Sequence, residues 1–393
     1  MTTPNRIADF FDTYTKDLKA EDLQRLFTRD TRDAYKFFTR GTDPEAFKDL
    51  PWHKRAWAHV RTLFMAFTMK LSPARRIVYA AALLLALIGL LKLFIGVRVL
   101  RIGALPFDVV LPLPMLTFTD GTGALIEAFI LMNLLVLLEV ADRLSLKNDL
   151  EIAREIQQAM LPSGLYAAPG VQTVGISRPA NTVGGDFYDI VPLPDGRVAV
   201  AVGDVVGKGS PAALLMALLL AMLRTLVDEQ LEPAALVTRL NVQVSRHAPG
   251  TRFITLLYAV FDPVTGDFTY VNAGHMPPLL LRSSGISERL TEGGIALGMF
   301  AQSTYTTGHV RIEPDDLVAV YSDGITEAEN PQGRPFDEAG LEAILMAHSR
   351  DSLADIGGAV VRAVQQHTAD TRLADDLTIL LLRRCPTPAP VGV

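Results

Sequence analysis

Apolar residues are spread unevenly along the 393-residue chain, gathering into two long runs and a later series of short ones. The first long run, Ile77 to Val97 (IVYAAALLLALIGLLKLFIGV), is apolar apart from Lys92. At about 1.5 Å of rise per residue it predicts a helix able to cross a hydrocarbon core of about 30 Å, with Lys92 near enough to one end to snorkel. The second run, Gly123 to Ala141, has Glu127 about one turn inside its start and Glu139 near its end, and predicts a weaker second span. A buried hairpin in a soluble domain would look similar, but no soluble core is visible nearby to cover it. Between the runs lies a connecting loop, 98–122, with an LPLP pattern and a TDGTG turn, too short to be a sensor domain by itself.

The flanks extend this picture. Residues 1–50 are polar with scattered aromatics and predict short amphipathic helices. Leu50 to Arg76 holds six basic residues, no acid, and both tryptophans, Trp52 and Trp57. Basic and aromatic residues together suit a helix at an anionic bilayer surface better than a merely solvated one. These six basic residues, and Arg143, Lys147 and Arg154 after the second run, outnumber Arg98 and Arg101 in the loop. That asymmetry predicts a two-span protein of the inner (cytoplasmic) membrane with both termini in the cytoplasm. Residues 142–161 form a charged helix with Ile152, Ile156 and Ala159 along one stripe, stopped by Pro162. The stripe suits either homodimer pairing or packing on the following domain.

From Gly170 onward the pattern changes to strand-like runs: VQTVGIS, RVAVAVGD, FITLLYAVF, DFTYVNAG, LVAVYSDG and LTILLLR. Several are almost continuously apolar, as expected of strands covered on both faces, and DPVTGD joins two as a hairpin. Helical stretches fall at Pro211–Val227, Pro233–Arg246, Asp337–Ala347 and Ser352–His367, with Met216 and Met222 at core spacing. Strands and helices in blocks predict an α+β domain. The expected division is a helical cytoplasmic or interfacial region (1–76), a transmembrane hairpin (77–141), a linker helix (142–165), a catalytic domain (166–385) and a disordered tail (386–393).

Composition narrows the chemistry. A content of 49% hydrophobic and 20% charged residues agrees with membrane segments, and a net charge of −6 argues against nucleic acid as a partner. The lone cysteine, Cys385, excludes an internal disulfide, a cysteine zinc site and a cysteine-phosphatase loop. The N-terminus has early acids and no apolar core, unlike a secretory signal.

Four aspartate-bearing turns stand at the ends of predicted strands: GGDFYD with Asp186 and Asp189, GDVVGKG with Asp204, SDG with Asp323, and DDLT with Asp375 and Asp376. A carboxylate beside glycine at a strand end can hold a hard cation, because the backbone can approach closely. The donors are all oxygen, which favours Mg²⁺ or Mn²⁺ over zinc or copper. Two such ions can clamp phosphoryl oxygens and make a water nucleophilic without a covalent intermediate. GDVVGKGS is one residue too short before its Gly-Lys for a phosphate-binding P-loop, so Lys208 is expected as a solvent-facing turn residue. GGDFYD has Phe187 where a nucleotide cyclase turn needs an acid. His275, in NAGHMPP, is expected to be structural, with a general-acid role as the alternative.

The ordered segments EIQQAMLP, GGDFYD, GDVVGKGSPAALLMA, FITLLYAVFDPVTGDFTYVNAGHMPPLLL, GGIALG, YSDGITEAEN and DDLTILLLR resemble the metal-dependent protein phosphatases (PPM family) in their SpoIIE/RsbU-like branch. The resemblance runs from Glu151 to Arg383. It implies an αββα sandwich of two packed β-sheets flanked by helices, with a dimetal site at one end. On that pattern Asp204 bridges two divalent cations, Mn²⁺ or Mg²⁺, and Val205 offers its carbonyl. Asp186 binds one ion, and Asp323 with the Asp375–Asp376 pair binds the other. Asp375 is the favoured direct ligand and Asp376 its neighbour, while Asp189 is supporting. No counterpart of the arginine that grips phosphate in eukaryotic relatives is found. The helix EIAREIQQAMLP resembles the branch's regulatory helix, implying that it passes an N-terminal signal to the site. The expected function is a membrane-anchored serine/threonine phosphatase acting on a phosphorylated regulatory protein, such as an anti-anti-sigma STAS-type protein. The rival reading is a silent membrane adaptor that acts by binding.

Overall fold

The computed structural model describes residues 51–94, 97–104, 107–114, 121–162, 164–248, 252–369 and 373–386. The expected helices within 1–50 and most of the tail lie outside these residues. The chain forms two compact units, divided between Leu144 and Ser145.

In the first unit, helix α1 spans Trp52–Lys70 and α2 spans Pro73–Phe94, with proline at the first turn where no N–H is needed. Strands β1 (Val97–Ala104) and β2 (Phe107–Pro114) follow, then the start of helix α3 (Thr122–Met160). The segment expected as a loop therefore contains an antiparallel hairpin, Val97 opposite Pro114 and Ala104 opposite Phe107. Its β-branched residues in VRVLRIGA and FDVVLPLP suit strands, a signal that the expected loop passed over.

Helices α2 and α3 run antiparallel. At one end Arg75 pairs with Glu139 at 3.2 Å and Asp142 at 2.7 Å. At the other end the backbones nearly touch: a Cβ on Gly121 would lie 2.3 Å from the Gly89 carbonyl oxygen. Ala82, Ala128 and Leu135 are buried, whereas Leu84, Leu87, Phe129, Ile130 and Leu137 face outward. Two alanines in the buried seam, and large apolar residues over most of the exterior, suit a helix pair surrounded by lipid. Both helices are long and apolar enough to cross a membrane, as is Ser210–Val227 in the second unit.

The second unit is an αββα sandwich. One sheet has the order β10-β9-β13-β14-β4-β3, from β3 (Leu165–Ala168), β4 (Val171–Arg178), β9 (Leu279–Leu281), β10 (Ser287–Arg289), β13 (Leu317–Tyr321) and β14 (Leu377–Arg384). The other has the order β11-β8-β7-β6-β5, from β5 (Phe187–Pro192), β6 (Val198–Val205), β7 (Ile254–Phe261), β8 (Asp267–Ala273) and β11 (Gly293–Gly294), with β12 (Gly308–Arg311) also pairing with β8. The DPVTGD turn joins β7 to β8 as expected.

Strand alternation divides the side chains between layers. Val198, Val200 and Val202 meet Val318, Val320, Leu380 and Leu382 between the sheets. Ala199 and Ala201 face the opposite way, toward helices α4 (Ser210–Val227) and α5 (Pro233–His247). Beyond a short helix α6 (Asp323–Thr326), helices α7 (Asp337–Ala347) and α8 (Leu353–His367) cover the outer face of the other sheet. Helix α4 buries Leu215, Met216, Leu219, Leu220, Leu223 and Val227 in this core. Its apolar length is thus explained by burial in the domain.

Candidate active site

Antiparallel pairing assembles the site. Asp186 directly precedes β5 and Asp204 lies at the end of β6, and these neighbours pair Phe187 with Gly203. In the other sheet Asp323 follows β13 while Asp375 and Asp376 precede β14, with Tyr321 opposite Ile379. Each sheet contributes the end of one strand and the start of its neighbour, so four turns distant in sequence meet.

The carboxylates are close enough to disturb one another. Burial, then the charge of Asp204, holds Asp186 well above the usual carboxylate range, although the hydroxyls of Ser322 and Thr378 oppose the effect. Burial, then Asp323, pushes Asp204 up to about 6. Asp323 is also raised, first by burial and then by Asp375 and Glu327. Asp186 Oδ2 is buried with no hydrogen-bond partner. Crowded like charges and an orphaned buried carboxylate oxygen are what a bound cation would relieve, so the donor set fits a hard divalent ion. Among the described residues, no three His, Cys, Asp or Glu side chains are already drawn into metal-ligand geometry.

Glycines allow the turns to approach. A Cβ on Gly324 would lie 2.0 Å from the Asp376 carbonyl oxygen, so the SDG turn can take no larger residue without moving. At Gly185 the nearest atoms to such a Cβ are Val205 O and Asp204 Oδ1, which places those two oxygens beside the same point.

The terminal pair divides its work. Asp376, only 7% exposed, accepts backbone N–H bonds from Ala180 at 2.8 Å and Gly185 at 2.7 Å, tying the GGD turn to β14. The Asp375 side chain is 49% exposed and forms a 2.8 Å ion pair with Lys208. Lys208 was expected merely to face solvent; it is exposed, yet it also donates to Ala374 O at 2.7 Å. The like-charged neighbourhood of Asp375 attracts it, an arrangement the local sequence of its turn does not reveal.

Four further groups, Gln157, Ser322, Thr378 and Arg224, were not evident from the sequence. Gln157, near the end of α3, donates to Gly184 O at 2.8 Å and accepts from Gly184 N at 3.1 Å. Ser322 and Thr378 were hidden among ordinary strand-end hydroxyls. Asp189 binds Arg224 at 2.8 Å, and Arg224 in turn donates to Met160 O at the end of α3. His275 is buried, its Nδ1 3.0 Å from Thr255 Oγ1, and burial lowers it to about 4. A neutral, enclosed imidazole is a poor general acid, which favours its structural role.

Two sheets packed face to face between helix layers, with paired acid turns at one end, make a PP2C-like fold. The SiaA-PP2C domain of Pseudomonas aeruginosa superposes with a TM-score of 0.54 at 21% identity, covering 62% of this chain and 98% of that one. The RsbU and RsbW domains of a Mycobacterium tuberculosis protein give 0.50 at 25% identity, covering 56% and 62%. Residues 194–385 match the family described as Stage II sporulation protein E (SpoIIE), a span that includes every candidate ligand except Asp186. Over these residues the domain is similar to this SpoIIE branch. In sequence the chain is 30% identical to Protein IcfG of Synechocystis sp. over 67% of its own length and 46% of that protein. It is 28% identical to phosphoserine phosphatase RsbU of Bacillus subtilis over 61% of its length and 71% of RsbU. The chain thus spans about half of IcfG. PP2C-type phosphatases depend on divalent metals.

Proposed function

We propose that this chain is a membrane-anchored protein phosphatase that hydrolyses phosphoserine or phosphothreonine on a regulatory protein. The meeting of four acid turns at one end of the sandwich, with an unpartnered buried oxygen on Asp186, carries the reading. Two divalent ions would be held by Asp204 and the Val205 carbonyl together, with Asp186 serving one of them and Asp323 and Asp375 the other. Asp376 positions the GGD turn through its backbone bonds. Two divalent cations, Mn²⁺ or Mg²⁺, when bound, supply Lewis acidity and lower the pKa of a coordinated water. The protein holds these oxygens at fixed strand ends, so little reorganisation is needed during the reaction.

Hydrolysis of p-nitrophenyl phosphate by the full chain with and without Mn²⁺ tests the proposal. The expected result is Mn²⁺-dependent turnover that falls more than about a hundredfold in Asp204→Asn and Asp323→Asn, since even supporting partners of metal ligands typically cost about 10–100-fold. Equal rates in all three proteins would favour the adaptor reading.

The apolar α2 and the first half of α3 are the proposed spans, with both termini and the phosphatase domain on the cytoplasmic side of the inner membrane. The substrate class follows the relatives, and an anti-anti-sigma STAS-type protein fits it. The exposed Ile152 and Ile156 on α3 suit pairing of two copies. The Gln157–Gly184 bonds give α3 a direct hold on the GGD turn, the route by which a signal would reach Asp186. Equal specific activity of the full chain and a fragment starting near Gly170 would remove that route.

A further inference from the structure

The phosphate-gripping group has no counterpart of the familiar arginine in the sequence, and the arrangement around Asp375 offers a substitute. Lys208 is the one cationic side chain ion-paired to the aspartate cluster among the described residues. Its Nζ lies 2.8 Å from Asp375 Oδ2, and its charge is felt at Asp323. The side chain is 53% exposed and, besides Asp375, is held by a single carbonyl, so its flexible stem leaves the ammonium free to shift toward an incoming anion.

Charge balance gives the ammonium a task. Five carboxylates (Asp186, Asp204, Asp323, Asp375 and Asp376) against two dications leave one negative charge, and a phosphate monoester brings roughly 1.5 to 2 more. Without a facing cation, the substrate would meet like charge at the mouth of the site. Lys208 also lines a groove of about 460 Å³ together with Asp375, Gly324, Glu327, Glu329 and Asn330. A chain segment lying in that groove could bring its phosphorylated residue beside Lys208 and Asp375, which share its lining. The carboxylates of Glu327 and Glu329 in the same lining would repel a phosphate, leaving Lys208 as the attractive point.

We propose that Lys208 is the residue that grips the substrate phosphate, the peptide flanking the phosphoserine or phosphothreonine lying along the groove. This rests on the phosphatase reading above. The bland alternative is that Lys208 only neutralises Asp375 and pins the 203–209 turn to residues 374–375.

The test uses the full-length protein with Mn²⁺, as wild type, Lys208→Gln and Lys208→Arg. Inorganic phosphate binding and Mn²⁺ binding are titrated calorimetrically, and KM and kcat are measured with a phosphopeptide. Loss of one charge-assisted hydrogen bond predicts about ten- to a hundredfold weaker phosphate binding in Lys208→Gln and a matching rise in KM. Mn²⁺ affinity should be unchanged, and Lys208→Arg should recover most of the phosphate affinity. Unchanged phosphate affinity in Lys208→Gln would overturn the proposal, as would a fall explained by lost Mn²⁺ binding. A wild type that binds phosphate through Lys208 but hydrolyses nothing would sink the phosphatase reading and leave Lys208 only as a phosphate-binding group.

Discussion

Asp204 is pushed up to about 6 by burial and by Asp323, so it passes from carboxylate to carboxylic acid as pH falls below neutral. A metal takes only the ionised form. Mn²⁺ affinity should therefore fall as pH drops from about 7 to 5, with proton release accompanying binding; calorimetry in buffers of different ionisation enthalpy would read both. A flat affinity across that range would mean Asp204 is not a ligand. His275 is shifted in the opposite direction, and its effect also falls on the acid side. Burial lowers its folded value to about 4 from an ordinary 6.5, so the unfolded chain binds more protons between these values. Its contribution to stability is complete above about 6.5 and is lost as pH falls toward 4, on the order of 3 kcal/mol in all. In His275→Phe this acid-side loss should shrink in denaturant titrations, while the metal-dependent rate on aryl phosphate changes little. The aspartates were legible one by one because each sits beside glycine at a strand end. Lys208 and Gln157 were not, since their partners lie 167 and 27 positions away in the chain.

At the scale of elements, the end of α3 is the most exposed to a specific test. Its Gln157 exchanges two hydrogen bonds with Gly184, and a Cβ on Gly184 would lie 2.3 Å from Asp376 Oδ2, so the GGD turn is held from both sides. Gln157→Ala would leave a buried N–H and carbonyl unpaired at a cost of about 1–3 kcal/mol each. The expected outcome is at least tenfold weaker Mn²⁺ binding with the circular dichroism spectrum of the fold retained. Intact Mn²⁺ affinity would show that the helix does not support the site. Helix α3 was expected as two pieces, an apolar span and a charged linker, yet it runs unbroken from Thr122 to Met160. The change from apolar to charged marks a change of surroundings, while the backbone hydrogen bonding of a helix is indifferent to it. The small strands β9 to β12 were invisible because two to four residues are too few to show a period.

For the molecule as a whole, the apolar exterior of α2 and the first half of α3 predicts retention in the membrane pellet after alkaline carbonate extraction. Release into the supernatant would end the anchoring proposal. Ser210–Val227 passes the same length and composition test as those spans, and only its burial against β5 and β6 distinguishes it. Local sequence determined the alternation that makes sheets, the apolar lengths that make long helices, and the glycine–aspartate pairs that can approach a cation, because these depend on neighbouring residues. Tertiary structure alone decided which apolar helix lies in the core, which aspartate of the final pair is spent on backbone N–H groups, and which cation faces the carboxylates. Those outcomes depend on distances between segments far apart in the chain, which emerge only when the two sheets pack and their strand ends come together.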